Sequence, residues 1–222
     1  MIYIALCSVI NAKKEYEKRA DLISCFGDEV SLKLKKTSNS HSVYLSFGGL
    51  LALKSLSDRL ISPHADLSIA YDESGKPSFK ELNLPFNISH SASLSAAAIG
   101  ELDEAPIGID IELIDKRRNL KQIADRFFLE HELKSFKEHG YSADEFYRIW
   151  TAKEAYVKLC GASLSSMLSE SDTVKLCSDK TIFLTHFKLN YEGDEYMLTI
   201  ASKKETRSEL FDISEIIRSN VV

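Results

Sequence analysis

The alternation of apolar and polar positions divides the chain into short strands and longer helical stretches. Residues 2–9 alternate and β-branch, which predicts a strand. Asn11 to Cys25 is rich in Glu, Lys, Arg, Ala and Leu and predicts a helix that Gly27 ends. Ser42 to Leu60 predicts a second helix, in which the missing side chains of Gly48 and Gly49 admit a close neighbour. Leu67–Tyr71 predicts a strand, and Asp72-Glu-Ser-Gly-Lys-Pro77 is turn chemistry. Phe86-Asn-Ile-Ser-His-Ser91 leads into an Ala/Ser-rich strand that ends at Gly100. The clearest strand is Ile107 to Ile114, followed by helical sequence from Asn119 to Cys160 with a break at Gly140. The tail returns to strands at Thr173–Leu176, Thr181–Asn190 and Glu195–Ala201, and Glu192-Gly-Asp194 between the last two predicts a hairpin turn. The order is strand, helices, strands, then the same again. This predicts an α+β protein of two similar halves, 1–105 and 106–222, although no repeat is visible residue by residue.

Composition narrows the class. With 222 residues, 44% hydrophobic and 27% charged, nine Gly and four Pro, the chain is an ordinary folded protein and excludes collagen, low-complexity disorder and a coiled-coil rod. No window approaches a membrane span: the apolar stretches near Leu50–Leu53 and Ile107–Ile114 are short or interrupted by charge. The opening MIYIALCSV has no basic region before its apolar residues and reads as a strand, so the expected location is cytoplasmic, away from membranes. Net charge is −5, which argues against a nucleic-acid partner but leaves room for a local basic pocket. Cys7, Cys25, Cys160 and Cys177 are scattered singly, without a zinc-clip spacing or a disulfide framework, and are expected reduced and half-buried.

Candidate chemistry gathers in a few short blocks. In Ile107-Gly-Ile-Asp-Ile-Glu-Leu-Ile114 the period of two puts Gly108, Asp110 and Glu112 on one strand face, with the glycine leaving space beside two carboxylates. Such carboxylates repel unless a cation sits between them, and Mg²⁺ is the usual hard ion for oxygen ligands; an amphipathic strand with one solvated face has the same pattern. In Trp150-Thr-Ala-Lys-Glu-Ala-Tyr-Val-Lys158, Trp150, Glu154 and Lys158 share one helical stripe, while Ala152, Ala155, Tyr156 and Leu159 can pack. Glu154 could add a third oxygen and Lys158 a cation for phosphate, or the two could form a surface ion pair. Asn87-Ile-Ser-His-Ser91 and Gly75-Lys-Pro77 are polar turns around one imidazole and one cation. No Walker loop, dinucleotide fingerprint, zinc-protease helix or nucleophile elbow occurs.

Taken in order, G-K-P, F-N-I-S-H-S, I-G-I-D-I-E, R-F-F-x-x-x-E and W-T-x-K-E-A-Y-x-K make the sequence resemble the 4′-phosphopantetheinyl transferases, in the single-chain branch typified by the activator of surfactin synthetase. The matching blocks run from Gly75 to about Leu164, and length and element order agree over the whole chain. The resemblance implies transfer of the phosphopantetheine arm of coenzyme A to a serine of an acyl carrier protein or peptidyl carrier domain, releasing adenosine 3′,5′-bisphosphate. It implies a monomeric pseudo-dimer with the active site in the cleft between its halves. Carried over by position, Asp110, Glu112 and Glu154 would hold Mg²⁺ or Mn²⁺, and Lys158 would contact the phosphates. Glu132 would take the proton of the attacking serine. Ser89 and His90 would bind phosphates of coenzyme A, Gly75, Lys76 and Pro77 would border its nucleotide, and Lys153 would be structural or phosphate-adjacent.

One departure concerns the first half, where the family carries an Arg/Lys-rich clamp for the 3′-phosphate followed by an arginine. Here the corresponding run is Lys33-Leu-Lys-Lys36 and the Ser42–Phe47 stretch has no arginine, so Lys33 and then Lys36 are the clamp candidates. Two other function classes fit parts of the pattern. A Mg²⁺-dependent nuclease or phosphodiesterase would use the same carboxylates and Lys158, and a non-catalytic module would bind coenzyme A or a carrier without turnover.

Overall fold

The structure is a computed structural model that describes residues 1–101, 105–162 and 169–212. It is a mixed α+β protein. The described parts of Met1–Glu104 and Arg207–Val222 form one compact unit, and those of Ala105–Thr206 form another.

In the first unit, β1 (Ile2–Ser8) is buried at all but one position. It leads into α1 (Val9–Arg19), which tightens into a 3₁₀ segment, Ala20–Phe26, where a single continuous helix was expected. The Lys33–Lys36 run lies in α2 (Asp28–Lys36), with acidic residues in its first turn and lysines in its last, the arrangement the helix dipole favours. Next, α3 (Ser40–Leu60) starts where the Asn39 side chain accepts from the Ser42 amide. A small hairpin pairs β2 (Ile69–Tyr71) with β3 (Pro77–Phe79). The main sheet runs β4-β5-β1-β9, with β4 (Phe86–Ser91), β5 (Leu94–Gly100) and β9 (Ser208–Asp212). Here β1 is antiparallel to β5, Ile2 opposite Gly100, and parallel to β9, Ile2 opposite Ser208. The sequence pattern does not announce β9, so the expected division at 105–106 keeps the tail in the second half, whereas the chain returns from Thr206 to the first unit's sheet.

Packing in this unit follows from α3 lying on β5 and β4. A methyl at Gly49 would come within 2.5 Å of Ile88 Cγ2, and one at Gly48 within 3.0 Å of Ser95 Oγ, so the bare backbone of α3 is what lets the sheet approach. Ser95 Oγ reaches across to donate to the Leu45 carbonyl at 2.7 Å. Around this contact Phe47, Leu50, Leu51, Leu53 and Leu56 pack with Phe26, Ala97 and Ile99 into the core.

The second unit begins with β6 (Gly108–Leu113) and continues through α4 (Leu120–Phe127), α5 (Glu130–Glu138) and α6 (Ala143–Cys160). The segment Thr173–Leu176, expected as a strand, is part of a helix, α7 (Thr173–Ser178), because the Asp172 carboxylate accepts from the Lys175 amide and nucleates the turn. The unit closes with β7 (Phe183–Tyr191) and β8 (Asp194–Ser202), paired antiparallel in the order β6-β8-β7. Positive φ at Glu192 and Gly193 makes the expected hairpin turn. Helix α6 packs on β6 and β8, and its outer flank joins Phe128, Phe136, Phe146 and Trp150 in an aromatic cluster. No disulfide forms among the four cysteines; Cys7 is buried, and Cys25, Cys160 and Cys177 are exposed where partial burial was expected. Among the described residues no helix is long and apolar enough to cross a membrane.

Leu53 is 0% exposed within the α3 core and Leu32 on α2 is 55% exposed. Leu53→Ala should therefore cost about 2–5 kcal/mol through lost burial and a cavity, against less than about 0.5 kcal/mol for Leu32→Ala. Urea denaturation of both variants checks the difference, and equal midpoints would contradict this placement of α3.

Candidate active site

The chemistry of the second unit starts at Gly108. A methyl there would lie 1.9 Å from the Ala155 carbonyl oxygen and 2.7 Å from the Leu159 amide, so only glycine lets α6 lie backbone to backbone on β6. The next residue on that face is Asp110, which is buried, then Glu112, which is half-buried. Glu154, on α6 beside Ala155, meets them, and one oxygen from each of Asp110, Glu112 and Glu154 lies within 4.8 Å of the others. Lys158, one turn further along α6, donates from Nζ to Asp110 Oδ1 at 2.7 Å. The stripe expected along α6 divides in function, since its third member, Trp150, stacks on Phe146 with ring centroids 5.9 Å apart.

Three carboxylates in so small a space disfavour full ionisation. Burial, then the charge of Asp110, and also that of Glu112, push the Glu154 carboxyl up to about 8, while Lys158 pulls it down. A proton or a cation must relieve such a cluster. An all-oxygen donor set of three carboxylates, with one lysine supplying only partial compensation, fits a hard divalent ion such as Mg²⁺ that keeps some positions for water or phosphate.

A row of polar groups missed in the sequence holds the sheet to α6 beside this cluster. Thr199 on β8 stands directly opposite Asp110, and His186 on β7 directly opposite Thr199. Thr199 Oγ1 lies 2.6 Å from Thr151 Oγ1 of α6 and 2.9 Å from His186 Nδ1. Thr151 also donates to the Tyr147 carbonyl at 2.8 Å. The register of β7 and β8, the only signal that joins these residues, is not written in the local sequence.

Glu132 lies apart from the three-carboxylate cluster. It is 0% exposed and its partner Lys153 is 1% exposed. Lys153 Nζ donates to Glu132 Oε2 at 2.7 Å and to the Ser171 carbonyl at 2.6 Å. The Leu129 amide donates to Oε2 as well, half of a capping box for α5, and both the amide and hydroxyl of Thr173 donate to Oε1 at 2.9 and 2.7 Å.

The remaining candidates belong to the first unit. Lys33 is an exposed residue of α2 whose ammonium sits over the Tyr71 ring of β2, and Lys36 is exposed at the end of the same helix. The Tyr71 side leads into the turn containing Gly75, which has φ +84°, and Lys76, whose amide donates to Asp72 Oδ1 at 2.9 Å; Pro77 opens β3. Lys33 thus meets the β2–β3 hairpin at Tyr71, the residue paired with Pro77. Ser89 and His90 are neighbours within β4, Ser89 buried and His90 exposed, so the pleat sends them to opposite faces.

Comparison with known proteins identifies the family. Residues 106–209, which hold all of the carboxylates and Lys158, match the family model of the 4′-phosphopantetheinyl transferase superfamily. The chain is 32% identical over 171 residues to the 4′-phosphopantetheinyl transferase ffp of Bacillus subtilis, covering 76% of this chain and 73% of ffp. Sfp of Bacillus subtilis strain 168 is 31% identical over 172 residues, covering 76% of this chain and 73% of Sfp. The 4′-phosphopantetheinyl transferase AcpT of Escherichia coli K12 is 37% identical over 126 residues, covering 55% of this chain and 63% of AcpT. The chain belongs to the 4′-phosphopantetheinyl transferase superfamily. Within it, the likeness to ffp and Sfp places the chain with the surfactin-activator type.

Two outcomes follow from the packing behind the site. Gly108→Ala must push α6 off β6 and should cost about 1–3 kcal/mol or more in stability, measured by denaturation, with a parallel loss of activity; a variant of wild-type stability and rate would mean the backbones do not touch. Burial and the Arg148 charge push the His186 imidazole down to about 4, with Glu145 opposing. The unfolded chain protonates this ring near 6.5, whereas the folded chain does so only near 4. Stability should therefore fall as pH drops through that window. His186→Gln should flatten the fall in a pH series of denaturation midpoints, and an unchanged slope would remove His186 from it.

Proposed function

We propose that this chain transfers the 4′-phosphopantetheine arm of coenzyme A to the serine hydroxyl of an apo acyl or peptidyl carrier, giving the holo-carrier and adenosine 3′,5′-bisphosphate. The serine oxygen forms a bond to the phosphorus that bears pantetheine, and the bond from that phosphorus to the oxygen bridging the two phosphates breaks. The serine proton leaves, and the electron pair departs with the adenosine bisphosphate. The observation that carries the reading is the convergence of Asp110, Glu112 and Glu154 with Lys158 beside them, in a chain whose relatives are named as such transferases.

In this reading Asp110, Glu112 and Glu154 hold Mg²⁺ or Mn²⁺. The bound ion supplies neutralisation of charge on the pyrophosphate oxygens. Lys158, held at Asp110, places a second positive charge where the leaving phosphate gains negative charge. Phosphoryl transfer passes through a loose transition state, so catalysis rests on positioning and charge rather than on a strong base. Lys33, Lys36, Gly75, Lys76, Pro77, Ser89 and His90 remain the proposed coenzyme A contacts of the first unit, with the meeting of Lys33 and the Tyr71–Pro77 hairpin as support. The proposal extends to a cytoplasmic monomer whose two units are similar halves of a pseudo-dimer. Its support is that each unit by itself lays one long helix, α3 or α6, on antiparallel strands.

Intact-mass spectrometry of apo-carriers incubated with the protein, coenzyme A and Mg²⁺ should show the gain of one phosphopantetheine, lost with a chelator. Asp110→Ala, Glu154→Gln and Lys158→Ala should each lower turnover by about 10² or more while the fold persists. No gain on any carrier, or variants that keep the wild-type rate at limiting Mg²⁺, would overturn the reading.

A further inference from the structure

We propose that the buried Glu132–Lys153 pair is a positioning device that sets Glu154 at the Asp110–Glu112 cluster, and that Glu132 takes no proton from the acceptor serine. The proposal rests on the transferase reading above. A general base needs an open lone pair within hydrogen-bond reach of the proton it removes. A carboxylate offers about four acceptor positions, and those of Glu132 are occupied by the Leu129 amide, Lys153 Nζ, the Thr173 amide and the Thr173 hydroxyl. With the residue 0% exposed, a serine of a separate protein has neither a path nor an oxygen to meet. This replaces the role that the family resemblance implies for Glu132.

The same contacts explain what the pair does. Lys153 immediately precedes Glu154 on α6, and its ammonium is fixed by groups from two other segments, Glu132 of α5 and Ser171 just before α7. Thr173, the first residue of α7, completes the grip on Glu132. Gly108 and Ala155 fix how closely α6 lies on β6, but close approach alone leaves the helix able to turn about its axis. The Thr151–Thr199 contact limits that freedom on the sheet side, and a buried lysine locked on another side of the helix adds a second restraint one residue from Glu154. An ion pair buried this deeply is stable only while both partners remain, because removing one leaves the other charge desolvated. Glu132 and Lys153 are accordingly positioning residues that act through Glu154.

The test compares the full chain with Glu132→Gln, Lys153→Met, their combination, and Thr173→Val. The readouts are Mn²⁺ affinity of the metal-free protein by water-proton relaxation, kcat and KM for coenzyme A, the pH profile of kcat, and folding by circular dichroism. Each single change in the pair should weaken Mn²⁺ binding by about 10-fold or more and lower kcat in step, as losses of outer-shell support do. The combined variant should recover both to within about threefold of wild type, because neither buried charge is left alone, with an unchanged pH profile. A combined variant as slow as Glu132→Gln, with Mn²⁺ affinity at the wild-type value throughout, would make Glu132 the base and overturn the proposal. Should the pair variants fail to fold, Thr173→Val decides. It removes one donor to Glu132, and the expected result is weaker Mn²⁺ binding with an unmoved pH profile. A profile shifted upward with unchanged Mn²⁺ affinity overturns the proposal. If the wild-type chain modifies no carrier, the transferase reading fails, and the Mn²⁺ series still reports on whether the pair positions Glu154.

Discussion

Helix α6 and strand β6 meet at Gly108, where a single methyl would overlap the Ala155 carbonyl oxygen, and every feature of the second unit's site depends on that contact. A side chain at position 108 would hold α6 off β6 and shift Glu154 relative to Asp110 and Glu112. With the backbones touching, Glu154 comes up against Asp110 and Glu112, and Lys158 reaches Asp110 from the following turn. The Thr151–Thr199 contact joins α6 to the next strand of the sheet, directly beside Asp110.

The unit keeps two kinds of charge close together in space and separate in chemistry. Asp110, Glu112 and Glu154 carry more negative charge than Lys158 can balance, and burial, together with that imbalance, raises the Glu154 carboxyl to about 8. Glu132 and Lys153 are balanced and buried, with four donors on the carboxylate and two acceptors on the ammonium. An imbalanced, half-buried cluster can exchange its proton for a metal ion and a phosphate, whereas a balanced buried pair resists any change of charge. The adjacent residues Lys153 and Glu154 therefore serve opposite ends, one holding the helix and the other leaving it for the cluster. Away from the site, hydrogen bonds and charge from Lys116 and Lys188 hold the Glu195 carboxyl down to about 2, and Lys188 also pairs with Asp144, an ion-pair network suited to water.

Much of the fold was legible because its elements are local. The alternation in 107–114, the turn at Glu192-Gly193 and the helical run ending at Cys160 each follow from nearest-neighbour sterics and burial. The elements that were missed depend on distant partners. Ser208–Asp212 is a strand because β1 has an open edge to accept it, and Thr173 begins a helix because Asp172 caps it while Glu132 accepts from it. The 3₁₀ segment after Arg19 is likewise a departure from local helix propensity.

The sequence by itself determined which carboxylates share a face, since the strand period assigns Asp110 and Glu112 to the side of Gly108, and which helical residues could join them, since Glu154 and Lys158 lie one turn apart. It also carried the family, through motifs whose spacing survives without a structure. Only the tertiary structure decided the part played by Glu132. On a helix diagram it is an acidic residue near the start of α5, as able to face solvent as to face a substrate. Its burial, and the donors from Leu129, Lys153 and Thr173 that fill it, come from segments as far as 41 residues away. Hydrogen bonds of that range depend on how three helices pack, and no local pattern of residues encodes the packing of one helix against another.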